Sequence, residues 1–138
     1  MKKIIFIITL LSSLITFAQN GEIIDNPFTP EQDTLFSKAL EKLNSKKYPD
    51  AIEMLNKLIS SNKEQKIPYF YLAQAYFENK QYSECAEICT KGLTIGPKEN
   101  ALNYYRAKAN IELGKTDSVC NDLKKSGTQE KELLKYCN

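Results

Sequence analysis

Apolar residues recur at helical spacing from Leu35 to Cys137, and the whole pattern returns every 34 residues. Ala39, Ala73 and Ala107 fall in one column, and Ala51, Cys85 and Val119 in a second. Leu55, Cys89 and Leu123 form a third, and Leu43, Phe77 and Ile111 a fourth. Tyr48 and Tyr82 share an offset that Thr116 completes. Small residues recur where two helices must approach closely, and larger apolar ones one turn away. The pattern therefore predicts an array of paired amphipathic helices with no strands.

Punctuation residues place the elements. Thr29-Pro30-Glu31-Gln32 combines an N-cap, a Pro at the first helical position and a capping-box Gln, so a helix runs from there to about Ser45. Pro49 opens the next, over AIEMLNKLIS. The stretch from Pro68 to Pro97 reads as two short helices, starting near Pro68 and Ser83, closed by a Gly-Pro stop. Asn100 caps a helix ending at Gly114, and Asp117 caps one ending at Gly127. Thr128 opens a last helix, TQEKELLKYC, with Leu133, Leu134 and Cys137 on one side.

Between Pro68 and Pro97 an aromatic (Tyr69) starts the first helix. Leu72-Ala73 and Tyr76 follow, Tyr82 stands at the turn, and the small Cys85 comes early in the second helix. These residues resemble the tetratricopeptide repeat (TPR), and the likeness extends over about residues 30–126. It implies an all-α, right-handed solenoid of three helix pairs, with repeats at about 32–65, 66–99 and 100–127, and a capping helix over 128–137 that covers the open apolar end. Cys89 and Gly92 stand where the family has an aromatic and an Ala, which predicts a looser second pair. Arg106 stands where Leu is common. The first repeat matches mainly in its second helix.

In such arrays the first helix of each pair lines a concave groove where protein partners dock. The matching positions are Phe36, Leu40, Leu43 and Asn44; then Ile67, Phe70, Gln74, Phe77 and Glu78; then Ala101, Tyr104, Lys108, Ile111 and Glu112. Aromatics with a few polar groups suit an extended peptide or an amphipathic helix. Phe70, Phe77 and Tyr104 serve equally well as packing within the array. The family's clamp for a terminal carboxylate uses Lys, Asn and Arg. Phe36, Leu40, Tyr71, Ala101 and Tyr105 occupy those positions, so an aromatic or apolar ligand face is expected instead.

Charge and composition narrow the function. The chain has 138 residues, 4 Cys, no His and no Trp. Without His it lacks the commonest general base and metal ligand. Met1–Ala18 (MKKIIFIITLLSSLITFA) has a basic start and an apolar run, and predicts a signal peptide cut after Ala18. The competing reading is an uncleaved anchor. The uncharged run Ile4–Asn20 is 17 residues, short for a membrane span. Two of the 19 basic residues lie in this leader, so the remainder balances at 17 of each sign, with no electrostatic footprint for nucleic acid or anionic membrane. Residues 19–29 read as a linker.

Cys85 and Cys89, four apart on one helix, lack further ligands nearby and read as small core residues rather than a metal or redox pair. Cys120 and Cys137 flank the Gly127 turn at distances that bring them level in an antiparallel helix pair, which predicts a disulfide. Export would let it persist. Glu78 and Glu112, 34 residues apart, are solvated helix acids before they are a catalytic pair. Lys46-Lys47 and Lys124-Lys125 sit near helix C-termini, where they complement the helix dipole. The expectation is an exported, non-enzymatic module without cofactor that binds a protein or peptide in its groove. The alternative is a structural subunit of an envelope assembly or homo-oligomer, packing through its convex or N-terminal face. A small enzyme or redox protein is disfavoured by the absent His, the Cys spacing and the lack of a Gly-rich phosphate loop.

Overall fold

The computed structural model describes residues 28–96 and 100–137. Seven helices follow one another in this part of the chain: α1 (Pro30–Asn44), α2 (Tyr48–Ser61), α3 (Lys66–Glu78), α4 (Tyr82–Ile95), α5 (Asn100–Glu112), α6 (Val119–Ser126) and α7 (Lys131–Leu134). A 3-10 turn, Lys135–Cys137, ends the described chain. The leader, the linker up to Pro27 and the stop at Pro97 lie outside the described residues.

Each of α1 to α6 packs on its successor, and α3 also touches α1 and α5. So α1, α3 and α5 form one closely spaced layer. On the opposite side α2 and α4 are separated by an open cleft of about 440 Å³. The three pairs stack as a short solenoid whose inner face is the α1–α3–α5 layer.

Three of the four repeat columns become the core, while Phe77 and Ile111 of the fourth stay half-buried. Ala39, Ala73 and Ala107 are wholly buried, as are Ala51, Cys85 and Val119, and Leu55, Cys89 and Leu123. Burying a leucine side chain contributes about 1.5–3 kcal/mol before entropy is charged, while the alanines and cysteines let neighbouring helix axes close up.

The turn inside each pair repeats to the residue. Lys46, Lys80 and Gly114 all take positive φ, at 58°, 62° and 70°. Each helix end is closed the same way. Lys47 N–H donates to Lys42 O at 2.8 Å, Gln81 to Tyr76 at 2.9 Å and Lys115 to Asn110 at 2.8 Å. This is the left-handed helix stop that favours glycine, and the chain supplies glycine in the third turn alone.

Four local expectations need correction. The expected linker stops short of residue 29. Thr29 is the N-cap of α1, with a complete capping box to Gln32, and Phe28 packs against the core. Helix α3 starts two residues before Pro68, a place Pro tolerates because the first helical turn has no intrahelical use for its N–H. The capping helix does not span 128–137. Thr128 N–H bonds Ser126 Oγ at 3.2 Å and Thr128 Oγ1 accepts from Glu130 N–H at 3.3 Å. These short-range bonds hold 128–130 out of helix. The cover is instead one helical turn plus a 3-10 turn, with Leu133, Tyr136 and Cys137 packed beside Ile111 on Ala107, Val119 and Leu123.

The fourth correction concerns Gly92. The second pair is not loose there. A Cβ at Gly92 would come within 2.7 Å of Leu102 Cδ1 and 3.0 Å of Tyr69 Cβ. Its hydrogen is the space that lets α4 meet α3 and α5.

Candidate partner-binding groove

The inner layer carries a connected strip of rings, because aromatics fall on the same face of α1, α3 and α5. Phe28 stacks on Phe36 with centroids 5.0 Å apart. Phe36 meets Tyr71 edge-on at 5.4 Å, and Tyr71 meets Phe70 at 4.8 Å. Phe70 and Phe77 each stand 5.9 Å from Tyr105, and Tyr105 stands 5.6 Å from Tyr104. Tyr82, at the start of α4, closes on Phe77 at 5.3 Å. Each such pair contributes about 0.5–1.5 kcal/mol beyond burial of area.

Polar groups are set into this strip. Lys108 Nζ lies 4.6 Å from the Phe77 centroid and 5.1 Å from that of Tyr104, a cation held over two ring faces. Tyr104 Oη donates to Glu130 Oε1 at 2.7 Å, which fastens the strip to the C-terminal cover. Burial, then this bond, push the Tyr104 phenol up to about 12. Burial, then the nearby Glu78 carboxylate, push Tyr105 up to about 12 as well. Both rings are thus neutral donors over the ordinary pH range.

Of the residues expected in the groove, Phe36, Phe70, Phe77, Tyr104 and Lys108 are brought together, all half-buried. Leu40 and Gln74 are half-buried on α1 and α3, and Leu43 lies in the core. Asn44, Glu78 and Glu112 are exposed. Ile111 joins the C-terminal cluster rather than the strip. Ile67 is 43 % exposed. With Lys66, Phe70, Tyr71 and Ala101 it edges a cleft of about 500 Å³ at the N-terminal ends of α3 and α5.

Sequence reasoning did not place Phe28 in the strip, nor give Tyr71 and Tyr105 their linking role. The doublets Phe70-Tyr71 and Tyr104-Tyr105, at one repeat offset, carried that signal. It also left Arg106 unexplained. The guanidinium forms a two-point bond to Asp122, 2.8 Å from Nε and 2.7 Å from Nη2, and adds Thr90 Oγ1 at 3.3 Å. Asp122 is 1 % exposed, so Arg106 ties α4, α5 and α6 through a buried carboxylate.

The cysteines divide by position. Cys85 and Cys89 are buried and free. Hydrogen bonding to Cys85, then burial, push the Cys89 thiol far up, which leaves it protonated and a poor nucleophile. Cys120 and Cys137 are bonded to each other, with Cα atoms 4.8 Å apart, and join the C-terminal turn to α6. Among the described residues no group of three or more His, Cys, Asp or Glu is placed to hold a metal ion. None of the described helices is long and apolar enough to cross a membrane.

Known proteins share this architecture. The yeast Hsp70/Hsp90 co-chaperone CNS1 (Saccharomyces cerevisiae) is 33% identical over 83 residues, 57% of this chain. The match spans 22% of the length of that co-chaperone. The second TPR of Spaghetti (RPAP3), solved bound to HSP90 peptide SRMEEVD, superposes with a TM-score of 0.67 at 20% identity, over 70% of this chain and 90% of that one. The Yersinia enterocolitica type III secretion chaperone SycD, in complex with a peptide of the translocator YopD, gives 0.69 at 17% identity, over 82% and 88%. The family model described as anaphase-promoting complex, cyclosome, subunit 3 matches residues 35–131. With its stacked helix pairs and this match over most of its length, the chain belongs to that TPR-type family.

Proposed function

We propose that the chain is an exported, non-enzymatic module that binds a protein or peptide segment along the inner face of α1, α3 and α5. The observation that carries this is the ring strip from Phe28 to Tyr104, half-buried and topped by Lys108. Such a surface offers apolar area with fixed rotamers, so little ordering entropy opposes docking. The coarse reading, a protein-interaction module, is that of the TPR relatives named above. The finer reading is that the ligand presents aromatic or aliphatic side chains. Phe36, Leu40, Tyr71, Ala101 and Tyr105 carry no charge at the clamp positions, and Lys108 is engaged over the Phe77 and Tyr104 rings.

The test is a panel of labelled peptides, including SRMEEVD, titrated against the mature protein and a Phe70→Ala/Tyr104→Ala variant. Aromatic-rich peptides are expected to bind, SRMEEVD is not, and the double variant weakens retained peptides by about tenfold or more. Unchanged affinity in the variant removes the groove from consideration. Export is supported by the Met1–Ala18 pattern and by a disulfide that an oxidising compartment would preserve. A mature N-terminus at Gln19, read by mass spectrometry of native protein, is the expected result.

A second reading, a subunit packing through its convex or N-terminal face, draws on the family description as a complex subunit. Sedimentation of mature protein distinguishes them, since a strict monomer counts against self-assembly.

A further inference from the structure

The segment that follows α6 is tied down at both ends, and the two ties reach different parts of the molecule. At its start, Glu130 Oε1 accepts from Tyr104 Oη at 2.7 Å, on the groove face of α5. At its end, Cys137 is bonded to Cys120 of α6. Between these ties lie α7 and the 3-10 turn, neither of which holds a fully buried residue. Helix α7 has 4 residues, too few to persist without outside support. The apolar hold on the segment is Leu133 and Tyr136, both half-buried, and Cys137 itself.

Tyr104 is the last ring of the strip. It stands 5.6 Å from Tyr105, and the Lys108 ammonium lies 5.1 Å from its centroid. The bond to Glu130 restrains the rotamer of this ring and with it the seat of the cation. Glu130 is exposed, and water competes for its carboxylate. The bond therefore lasts while the segment keeps Glu130 within reach, a matter of effective concentration. The disulfide is what fixes the far end of that segment.

We propose that the Cys120–Cys137 disulfide is a redox latch on the Tyr104 end of the groove. Its reductant is an external dithiol. One thiolate of the dithiol attacks Cys137 Sγ, and Cys120 Sγ leaves and takes up a proton. The second thiol then displaces Cys137 Sγ, which is also protonated, and the dithiol departs as its own disulfide. Two electrons and two protons have passed to the chain. The freed segment frays, Glu130 leaves Tyr104, and the ring regains rotamer freedom that a partner must then remove. The groove is at full strength where disulfides form and slack where dithiols prevail. Coupling of this kind is reciprocal, so a bound partner also protects the disulfide. The effect on a partner rests on the groove reading above, while the hold on Tyr104 does not.

The test follows the Tyr104 ring by nuclear magnetic resonance in mature protein isotope-labelled at tyrosine Cζ, with signals assigned by Tyr48→Phe, Tyr69→Phe and Tyr104→Phe. Dithiothreitol should move the Tyr104 signal to the position it takes in Glu130→Ala and leave Tyr48 and Tyr69 in place. A Tyr104 signal that stays put overturns the latch. So does a change that spreads to Tyr48 and Tyr69, the mark of general unfolding. A second measurement titrates a groove-binding peptide against both forms. Reduction should weaken it about two- to tenfold, the cost of ordering one freed side chain. In Glu130→Ala the oxidised form should already be weak, and reduction should change nothing further. Equal affinity in the two forms of the natural chain, or an equal loss on reduction in Glu130→Ala, overturns the proposal. If no peptide binds either form, the groove reading falls, and the Tyr104 signal alone decides the latch.

Discussion

The first two helix pairs and the last pair are held by different means. Around α1 to α4 a broad apolar core does the work, with Leu55, Leu58 and Leu72 wholly buried and aliphatic and aromatic side chains layered over them. The last pair shares that core through Leu102 and Ala109 of α5, and beyond it has a small cluster, Ala107, Val119 and Leu123, and an outer helix α6 of only 8 residues. It adds a buried ion pair and a covalent bond, Arg106–Asp122 and Cys120–Cys137. Among the described residues, the short outer helix α6 is covered on its far side only by the turns at 131–137, so less apolar area is available to it than to the inner helix α4. Cross-links of higher specificity stand in for the missing area.

The sharpest break in this comparison is Arg106→Leu. It leaves the Asp122 carboxylate buried without its cation, and should lower stability by about 3 kcal/mol or more in urea unfolding. Asp122→Leu should cost less, because Arg106 is 21% exposed and can turn to water. The double Leu variant should recover most of the loss. A double variant as unstable as Arg106→Leu would show that shape, not charge, governs the site.

Next in size is the disulfide. Cys120→Ser/Cys137→Ser should cost about 3 kcal/mol by the loop-entropy argument. Hydrogen exchange should quicken in α6 and α5 and leave α2 and α3 unchanged, which would keep the two regions distinct. Gly92→Ala, in contrast, acts on the apolar side of the comparison. The gain of about 1 kcal/mol in helix propensity is outweighed by overpacking against Tyr69 and Leu102, for a net loss of about 1–2 kcal/mol in thermal unfolding.

The smallest effect is a pH dependence that arises on α5, where the two regions meet. Tyr104 and Tyr105 have folded pKa values of about 12, above the ordinary 10 of an unfolded tyrosine. Their contribution is complete below pH 10 and is lost as pH rises from there through about 12, since the unfolded chain ionises first. Phenolate absorbance should show a late-titrating fraction that Tyr104→Phe and Tyr105→Phe each reduce. A single transition near 10 in the folded protein would refute this.

The periodic part of this structure was legible because periodicity is the physics of the core. The columns through Ala73, Cys85 and Cys89 are buried because a 34-residue repeat presents the same helix face each time. What escaped was set by contacts between helices that no local pattern announces. Arg106 reads as a misfit until Asp122, sixteen positions on, is seen to face it. Gly92 reads as a gap, yet Leu102 fills the space from another helix. The cap was overextended because Thr128 scores as a helix start, while its hydroxyl and that of Ser126 bond their own backbone. In the groove, aromatic identity was plain, but Phe28 was hidden among turn residues.

The ring strip also gives the molecule an optical property. The chain has 8 Tyr and no Trp, so its near-ultraviolet emission comes from tyrosine. Tyr71, Tyr104 and Tyr105 sit in the strip, and Tyr104 hands a hydrogen bond to a carboxylate, a known path for quenching phenol emission. A tryptophan-bearing peptide laid on this face would accept excitation from those rings. Occupancy of the groove can therefore be read as tyrosine light lost and tryptophan light gained, with no label attached to the protein.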